Sequence, residues 1–128
     1  MATATFSPGK FQVAGDMVFR QGPDGLVGLT CFFITGINPE YYYEYVIVNK
    51  CGARLYDLTP NLYFEYRTGG GILPYSTKLY KFNLDCKPDP DSDCSIPDGV
   101  LRAECDEGKG ADLQIYQDGI PYALAPIS

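Results

Sequence analysis

The sequence predicts an all-β protein, a single-domain antiparallel β sandwich or barrel. Turn residues recur at short intervals along the chain, which holds 14 Gly and 10 Pro in 128 residues. Between the turns lie stretches of about 6 to 10 residues rich in Val, Ile, Tyr, Phe and Thr, which favour strands. No segment shows the i, i+3, i+4, i+7 apolar pattern of an amphipathic helix. Short strands at this spacing are typical of sandwiches and barrels.

Alternation and turn spacing define the individual strands. Within 62–67, Leu62, Phe64 and Tyr66 share one face, as a half-buried antiparallel strand requires. The segment 26–35 is nearly all apolar, so we expect a central strand buried on both faces. In chain order, the predicted strands are 11–19, 26–35, 41–48, 53–57, 62–67, 77–84, 100–105, 112–117 and 121–125. They are separated by turns at 7–9, 22–25, 36–39, 50–52, 59–61, 69–71, 88–97, 108–110 and 118–119.

Two segments of the chain resemble each other. The segment 23–31 (PDGLVGLTC) aligns without gaps with 97–105 (PDGVLRAEC), so each has a Pro-Asp-Gly turn before a strand that ends in Cys. This similarity predicts two pseudo-symmetric halves, with internal repeats at about 10–60 and 81–125. The alternative is that a common turn precedes two ordinary alternating strands.

Composition and charge exclude several classes of function. The net charge is −6 and the basic residues are scattered, which argues against nucleic acid as a partner. Histidine is absent, so the usual general base and the Ser-His and Cys-His pairs are missing, and we expect no enzyme. No run approaches the roughly 20 apolar residues of a membrane span.

The five cysteines are many for a chain of this length and form no CxxC pair. Disulfides are therefore expected rather than a zinc site, which indicates an oxidising compartment and a secreted or extracellular protein. The odd count leaves at least one thiol free or paired between molecules. Because the first residues show no signal peptide, the expectation is a mature secreted form, with an intracellular protein of reduced cysteines as the alternative. The cysteines are Cys31, Cys51, Cys86, Cys94 and Cys105.

Two groups of residues are candidates for ligand binding. On a strand, Tyr41, Tyr43 and Tyr45 face one way while Tyr42 and Glu44 face the other. Tyrosine rings stack on sugars and dominate protein contacts, so the first three are predicted to bind a ligand, with packing between two sheets as the alternative. The second group is the acidic cluster of Glu104, Asp106 and Glu107 beside Cys105, with an exposed charged turn as the alternative.

A third group could hold a metal ion. Asp89, Asp91 and Asp93 stand at alternate positions, and such a loop can offer three carboxylates to Ca²⁺. The EF-hand pattern then requires Gly and Glu where this chain has Cys94 and Val100. A solvated loop is therefore expected, with Ca²⁺ as the alternative, and no other cofactor is predicted.

The second of the two similar segments resembles a known family. The segment 94–105 (CSIPDGVLRAEC) is similar to the opening of a repeat in the cyanovirin-N homology lectins, and the segments 43–56 and 112–122 are similar to the part that follows it. This resemblance implies a tandem-repeat β fold and a disulfide between Cys94 and Cys105. It also implies binding of mannose-type glycans beside each repeat.

Together these observations predict a non-catalytic binding module that is lectin-like and binds carbohydrate. The alternative is a secreted, disulfide-stapled β protein that acts through protein–protein contact, as an inhibitor, effector or structural assembly unit. The expected partner is accordingly a glycan or a protein surface, and an oligomer is compatible with both.

Overall fold

A computed structural model shows the fold and describes residues 2–7, 13–21, 27–67, 70–79, 104–105 and 108–128. Within these residues the elements are strands and one 3-10 turn, η1 (Thr59–Asn61), so the predicted all-β class is confirmed. The strands are β1 (Ala2–Phe6), β2 (Ala14–Gln21), β3 (Val27–Thr35), β4 (Tyr43–Asn49), β5 (Arg54–Asp57), β6 (Tyr75–Leu79), β7 (Glu104–Cys105), β8 (Gly108–Lys109), β9 (Ala111–Gln117) and β10 (Ile120–Pro126).

Two antiparallel sheets form a sandwich. Sheet A has the strand order β1-β2-β3-β6 and sheet B the order β10-β9-β4-β5, while β7 and β8 pair separately. The apolar residues on the inner faces of both sheets form one buried core. Phe33 of sheet A lies at its centre, with ring centroids 6.0 Å from Phe6, 6.1 Å from Tyr45 and 6.1 Å from Phe64. Burial of such a ring stabilises the fold by about 2–3 kcal/mol.

Backbone hydrogen bonds link the two sheets along one edge. The N–H of Thr3 donates to the carbonyl of Ser128 (2.9 Å), and the N–H of Ser128 donates to the carbonyl of Thr3 (3.1 Å). Ala4 of β1 and Ile127, just after β10, form an isolated bridge beside them. Sheet A therefore continues into sheet B on this side, which gives the sandwich a barrel-like seam.

Two strand predictions need correction. The segment 26–35 is not buried on both faces, because β3 alternates between buried residues such as Phe33 and exposed residues such as Ile34. Each sheet of a two-layer fold has one face in solvent, so even a central strand is covered on one side only. The segment 62–67 is not a regular strand, since only Tyr66 pairs, through an isolated bridge to Ile72.

Other predictions differ in their bounds. The strand β1 (ATATF) was not predicted, because the segment is short and becomes a strand through its pairing with β2. The strand expected at 77–84 begins earlier, at Tyr75, and its second half lies outside the described residues. The second copy of the proposed repeat also lies mostly outside them, so the two-halves prediction stays a prediction.

Candidate ligand-binding face

The tyrosine run at 41–45 leads into β4 and divides between the core and the surface. Tyr43 and Tyr45 are only 5% and 3% exposed and belong to the core, whereas Tyr42 is 63% exposed. Tyr41 lies outside the strand and is partly exposed. The predicted platform of Tyr41, Tyr43 and Tyr45 is therefore not an outer surface: the inner face of sheet B packs on sheet A and buries two of its three members. Tyr43 and Tyr45 instead follow the alternative interpretation, in which the tyrosines pack between the two sheets.

The hydroxyl of Tyr43 organises the end of the sandwich. It accepts hydrogen bonds from the backbone N–H of Asn38 (3.2 Å) and from Nε2 of Gln117 (3.1 Å). It also donates to the carbonyl of Gly36 (3.5 Å), to which the hydroxyl of Tyr122 donates at 2.9 Å. The network holds the loop between β3 and β4 against β9 and β10. It thereby positions the adjacent exposed residue, Tyr42.

Tyr45 has the opposite character. Its hydroxyl is buried and has no hydrogen-bond partner among the described residues. Burial is the main reason that the pKa of this phenol is raised above its ordinary value. The ring is used for packing, since it lies 5.3 Å from the centroid of Phe64 in an edge-to-face arrangement.

The outward residues at this end of sheet B form a polar and aromatic surface, which we call the Tyr42 face and define by Tyr42, Glu44, Arg54, Tyr116 and Asp118. Tyr42 is locked to the β9–β10 turn, because its N–H donates to Oδ1 of Asp118 (3.0 Å) and its carbonyl accepts from the N–H of Asp118 (2.8 Å). Glu44 follows on the same side of β4 and lies opposite Tyr116 of β9. Alternation thus brings two tyrosines and two carboxylates onto one solvent-facing surface.

Arg54 reaches across this face from the edge strand β5. Its Nη1 lies 3.3 Å from Oε2 of Glu44, and its guanidinium carbon lies 4.5 Å from the centroid of the Tyr116 ring. The hydrogen bond to Glu44 is the main reason that the pKa of Arg54 is raised. The guanidinium is therefore oriented by two contacts, an ion pair and a cation–π interaction, while half of its side chain is in solvent.

A second ion pair lies farther along the same side of sheet B. The ammonium of Lys50 contacts Oδ1 of Asp112, whose side chain is nearly buried. Asp112 of β9 lies opposite Val48 of β4, so this ion pair lies beside Val48 on the outer side of the sheet. Both basic side chains on this side of the described sheet, Lys50 and Arg54, are thus already paired with a carboxylate.

The other predicted site residues are described only in part. Glu104 belongs to β7, where its backbone pairs with Lys109. Asp106, Glu107 and the candidate calcium ligands Asp89, Asp91 and Asp93 lie outside the described residues. Within the described ranges, no three His, Cys, Asp or Glu side chains come together as a metal site.

Of the cysteines, Cys31 is free and buried in β3. Desolvation raises the pKa of its thiol from 9.0 to about 12. A thiol that stays protonated and inside the core is a poor nucleophile. Cys31 therefore acts as a small core residue.

Sequence reasoning missed most of the Tyr42 face. The alternation in β4 did place Tyr42 and Glu44 together, but the ligand site was assigned to the opposite side of the strand. Tyr116 and Asp118 join the face only through the register between β4 and β9, and Arg54 only through its position on β5. The one local signal was the Asp118-Gly119 pair, which is typical of a tight hairpin turn and has positive φ at both residues.

Comparison with known proteins does not identify the chain: no family model, curated protein or solved structure matches it. Among the described residues, no helix has the length and apolar character needed to cross a membrane.

Proposed function

We propose that this protein is a non-catalytic carbohydrate-binding module and that the Tyr42 face holds the sugar. The observation that carries the proposal is the exposed ring of Tyr42 on a backbone clamped at both its N–H and its carbonyl by Asp118. A residue whose backbone is already held in place loses little backbone conformational entropy when a ligand binds. The apolar side of a pyranose ring is a suitable partner for it.

The polar groups beside Tyr42 match the needs of a sugar. Asp118 uses Oδ1 for the clamp, which leaves Oδ2 as an acceptor for hydroxyl groups. Arg54 is held by Glu44 and Tyr116 and keeps further N–H donors in solvent. Aromatic surface with a few oriented donors and acceptors is the composition of small-ligand sites. Neither a nucleophile–base pair nor a metal ligand set is needed for this function.

A second candidate function, contact with a protein, is favoured by a different surface. Ile34, Tyr66 and Leu73 are all exposed. They occupy neighbouring backbone segments, because Ile72 donates to the carbonyl of Phe33 (2.8 Å) and Leu73 donates to the carbonyl of Glu65 (2.8 Å). Size-exclusion chromatography with light scattering tests whether this surface makes an oligomer, which Leu73→Asp would then dissociate.

The cysteines support a secreted protein. We infer that Cys51, in the exposed turn between β4 and β5, is disulfide-bonded. If Cys94 and Cys105 pair as the cyanovirin-N resemblance implies, its partner is Cys86, and Cys31 is left as the free thiol. Mass spectrometry of non-reduced peptides tests this, and a Cys51 found as a free thiol in protein from its native source would contradict both the bond and the oxidising compartment.

The carbohydrate proposal is tested on a glycan array at micromolar protein concentration. We expect binding to a subset of glycans, with at least a tenfold loss of affinity, roughly 1.4 kcal/mol, in Tyr42→Ala. Tyr63→Ala is the matched control, because Tyr63 is also exposed but lies on the loop after η1. Silence of the folded wild-type protein across mannose, galactose and N-acetylglucosamine ligands would remove the proposal.

A further inference from the structure

We propose that the Tyr42 face selects uncharged glycans over acidic ones and that Asp118 is the residue that determines this selectivity. The inference rests on the proposed function above, since it assigns a ligand class to the same site. Its basis is the arrangement of charge on the outer side of sheet B.

Carboxylates outnumber cations on this side of the described sheet. Glu44, Asp57, Asp112 and Asp118 are its acids, and Lys50 and Arg54 its bases. Each base is paired with an acid: Lys50 with Asp112, and Arg54 with Glu44. The net charge of this surface is therefore negative, like that of the whole chain.

Asp118 brings the uncompensated charge next to the exposed ring. Its Oδ1 accepts a hydrogen bond from the neutral N–H of Tyr42, at 3.0 Å, and the part of the chain that the structure describes contains no cation paired with its carboxylate. A sugar stacked on Tyr42 therefore places its substituents beside this carboxylate. Hydroxyl groups donate to a carboxylate, whereas a carboxylate, sulfate or phosphate on the sugar meets a like charge.

Arg54 does not offset this repulsion. Its guanidinium already contacts Glu44 (3.3 Å) and the Tyr116 ring (4.5 Å). To pair with an acidic sugar it would have to share or leave Glu44, and a carboxylate without its cation would remain on the face. The geometry thus favours ligands that bring hydroxyl donors and no negative charge.

The test uses pairs of glycans that differ only by an acidic group. Neutral glycans are compared with their sialylated, sulfated and phosphorylated counterparts by array and then by titration calorimetry on the intact chain. We expect the neutral member of each pair to bind at least tenfold more tightly at low salt. The ratio should shrink as NaCl rises from about 0.05 M to about 0.5 M, since screening shortens the range of the repulsion.

The variant Asp118→Asn separates charge from structure. Asparagine keeps a side-chain oxygen for the Tyr42 N–H and removes the negative charge, so the neutral-to-acidic ratio should fall several-fold. Asp16→Asn changes the net charge equally on sheet A, where Asp16 lies on β2, and should leave the ratio unchanged. Thermal melts of both variants establish that they are folded.

The outcomes distinguish the two proposals. Acidic glycans bound as tightly as neutral ones, or a ratio unaffected by Asp118→Asn, would overturn the selectivity while leaving carbohydrate binding in place. Absence of binding to every glycan, neutral and acidic, would overturn the proposed function and this inference with it.

Discussion

The guanidinium of Arg54 lies 4.5 Å from the centroid of the Tyr116 ring, across the full width of β4. Arg54 of β5 lies opposite Val48, and Tyr116 of β9 lies opposite Glu44, so their contact passes over the intervening outward residue, Val46. Val46 is 0% exposed although it points away from the core. Its burial is consistent with the alkyl stem of Arg54 and the ring of Tyr116 lying over it.

Replacing Arg54 tests this cover. Arg54→Ala should lower the melting temperature, because it uncovers Val46 and leaves Glu44 without its cation. The melting temperature of Arg54→Lys should lie between those of the wild type and Arg54→Ala, since lysine keeps the charge but not the planar group that stacks on Tyr116. Differential scanning calorimetry measures all three. Equal melting temperatures for Arg54→Lys and the wild type would show that the stack contributes nothing.

The two core tyrosines of β4 should respond in opposite directions to loss of their hydroxyls. Tyr43→Phe leaves the Asn38 N–H and the Gln117 amide without their acceptor, so the free energy of unfolding should fall by about 1–2 kcal/mol. Tyr45→Phe removes a buried hydroxyl for which the described part of the chain offers no partner, so the free energy of unfolding should rise by about 1 kcal/mol.

Urea unfolding of the two variants measures this difference, and each serves as the control for the other because the chemical change is identical. A similar decrease in the free energy of unfolding of both variants would mean that the hydroxyl of Tyr45 makes a hydrogen bond in solution.

Two glycines with similar backbone angles should differ in their tolerance of alanine. Gly71 (φ +89°) and Gly119 (φ +82°) both lie in the left-handed region, which costs an alanine about 1–2 kcal/mol. A Cβ on Gly71 would also run into the backbone carbonyl group of Ile34, whereas a Cβ on Gly119 meets no atom of the described residues within 4 Å.

Gly71→Ala should therefore lower the free energy of unfolding by at least about 1 kcal/mol more than Gly119→Ala. Chemical denaturation of both variants is the measurement. Equal decreases in the free energy of unfolding of the two variants would mean that the turn at 70–71 moves away from β3 without an energetic penalty.

Stability should decline in alkaline solution partly because of Cys31. The pKa of this thiol is 9.0 in the ordinary state and about 12 when buried, so between these values the unfolded chain binds fewer protons than the folded one. The contribution of the buried Cys31 thiol to the free energy of unfolding is therefore fully present below pH 9. It is lost as the pH rises toward 12, by about 1.4 kcal/mol per pH unit.

Cys31→Ala should flatten this slope between pH 9 and about 10.5, whatever the variant loses in absolute stability from the smaller side chain. Urea unfolding at several pH values measures the slope. Parallel profiles for the variant and the wild type would show that the thiol ionises in the folded state.

The sequence identified the fold class through strands whose alternation is local. In β4, burial of Tyr43, Tyr45 and Ile47 follows directly from a spacing of two, and the turn at Asp118-Gly119 appears where its residue types predict it. The strand predictions were wrong where pairing with distant parts of the chain determines whether a segment forms a strand. The run 62–67 alternates like a strand but has a partner only at Tyr66, and β1 is a strand because it pairs with β2 and with the chain end.

The sequence alone determined that Tyr43 and Tyr45 lie on one side of a strand and Tyr42 and Glu44 on the other, because successive side chains of extended backbone must point in opposite directions. Only the tertiary structure decided which side is covered. Sheet A packs on the side of Tyr43 and Tyr45, and strand register then brings Tyr116, Asp118 and Arg54 to the open side. Burial and register depend on contacts between residues distant in the chain, and no local pattern encodes them.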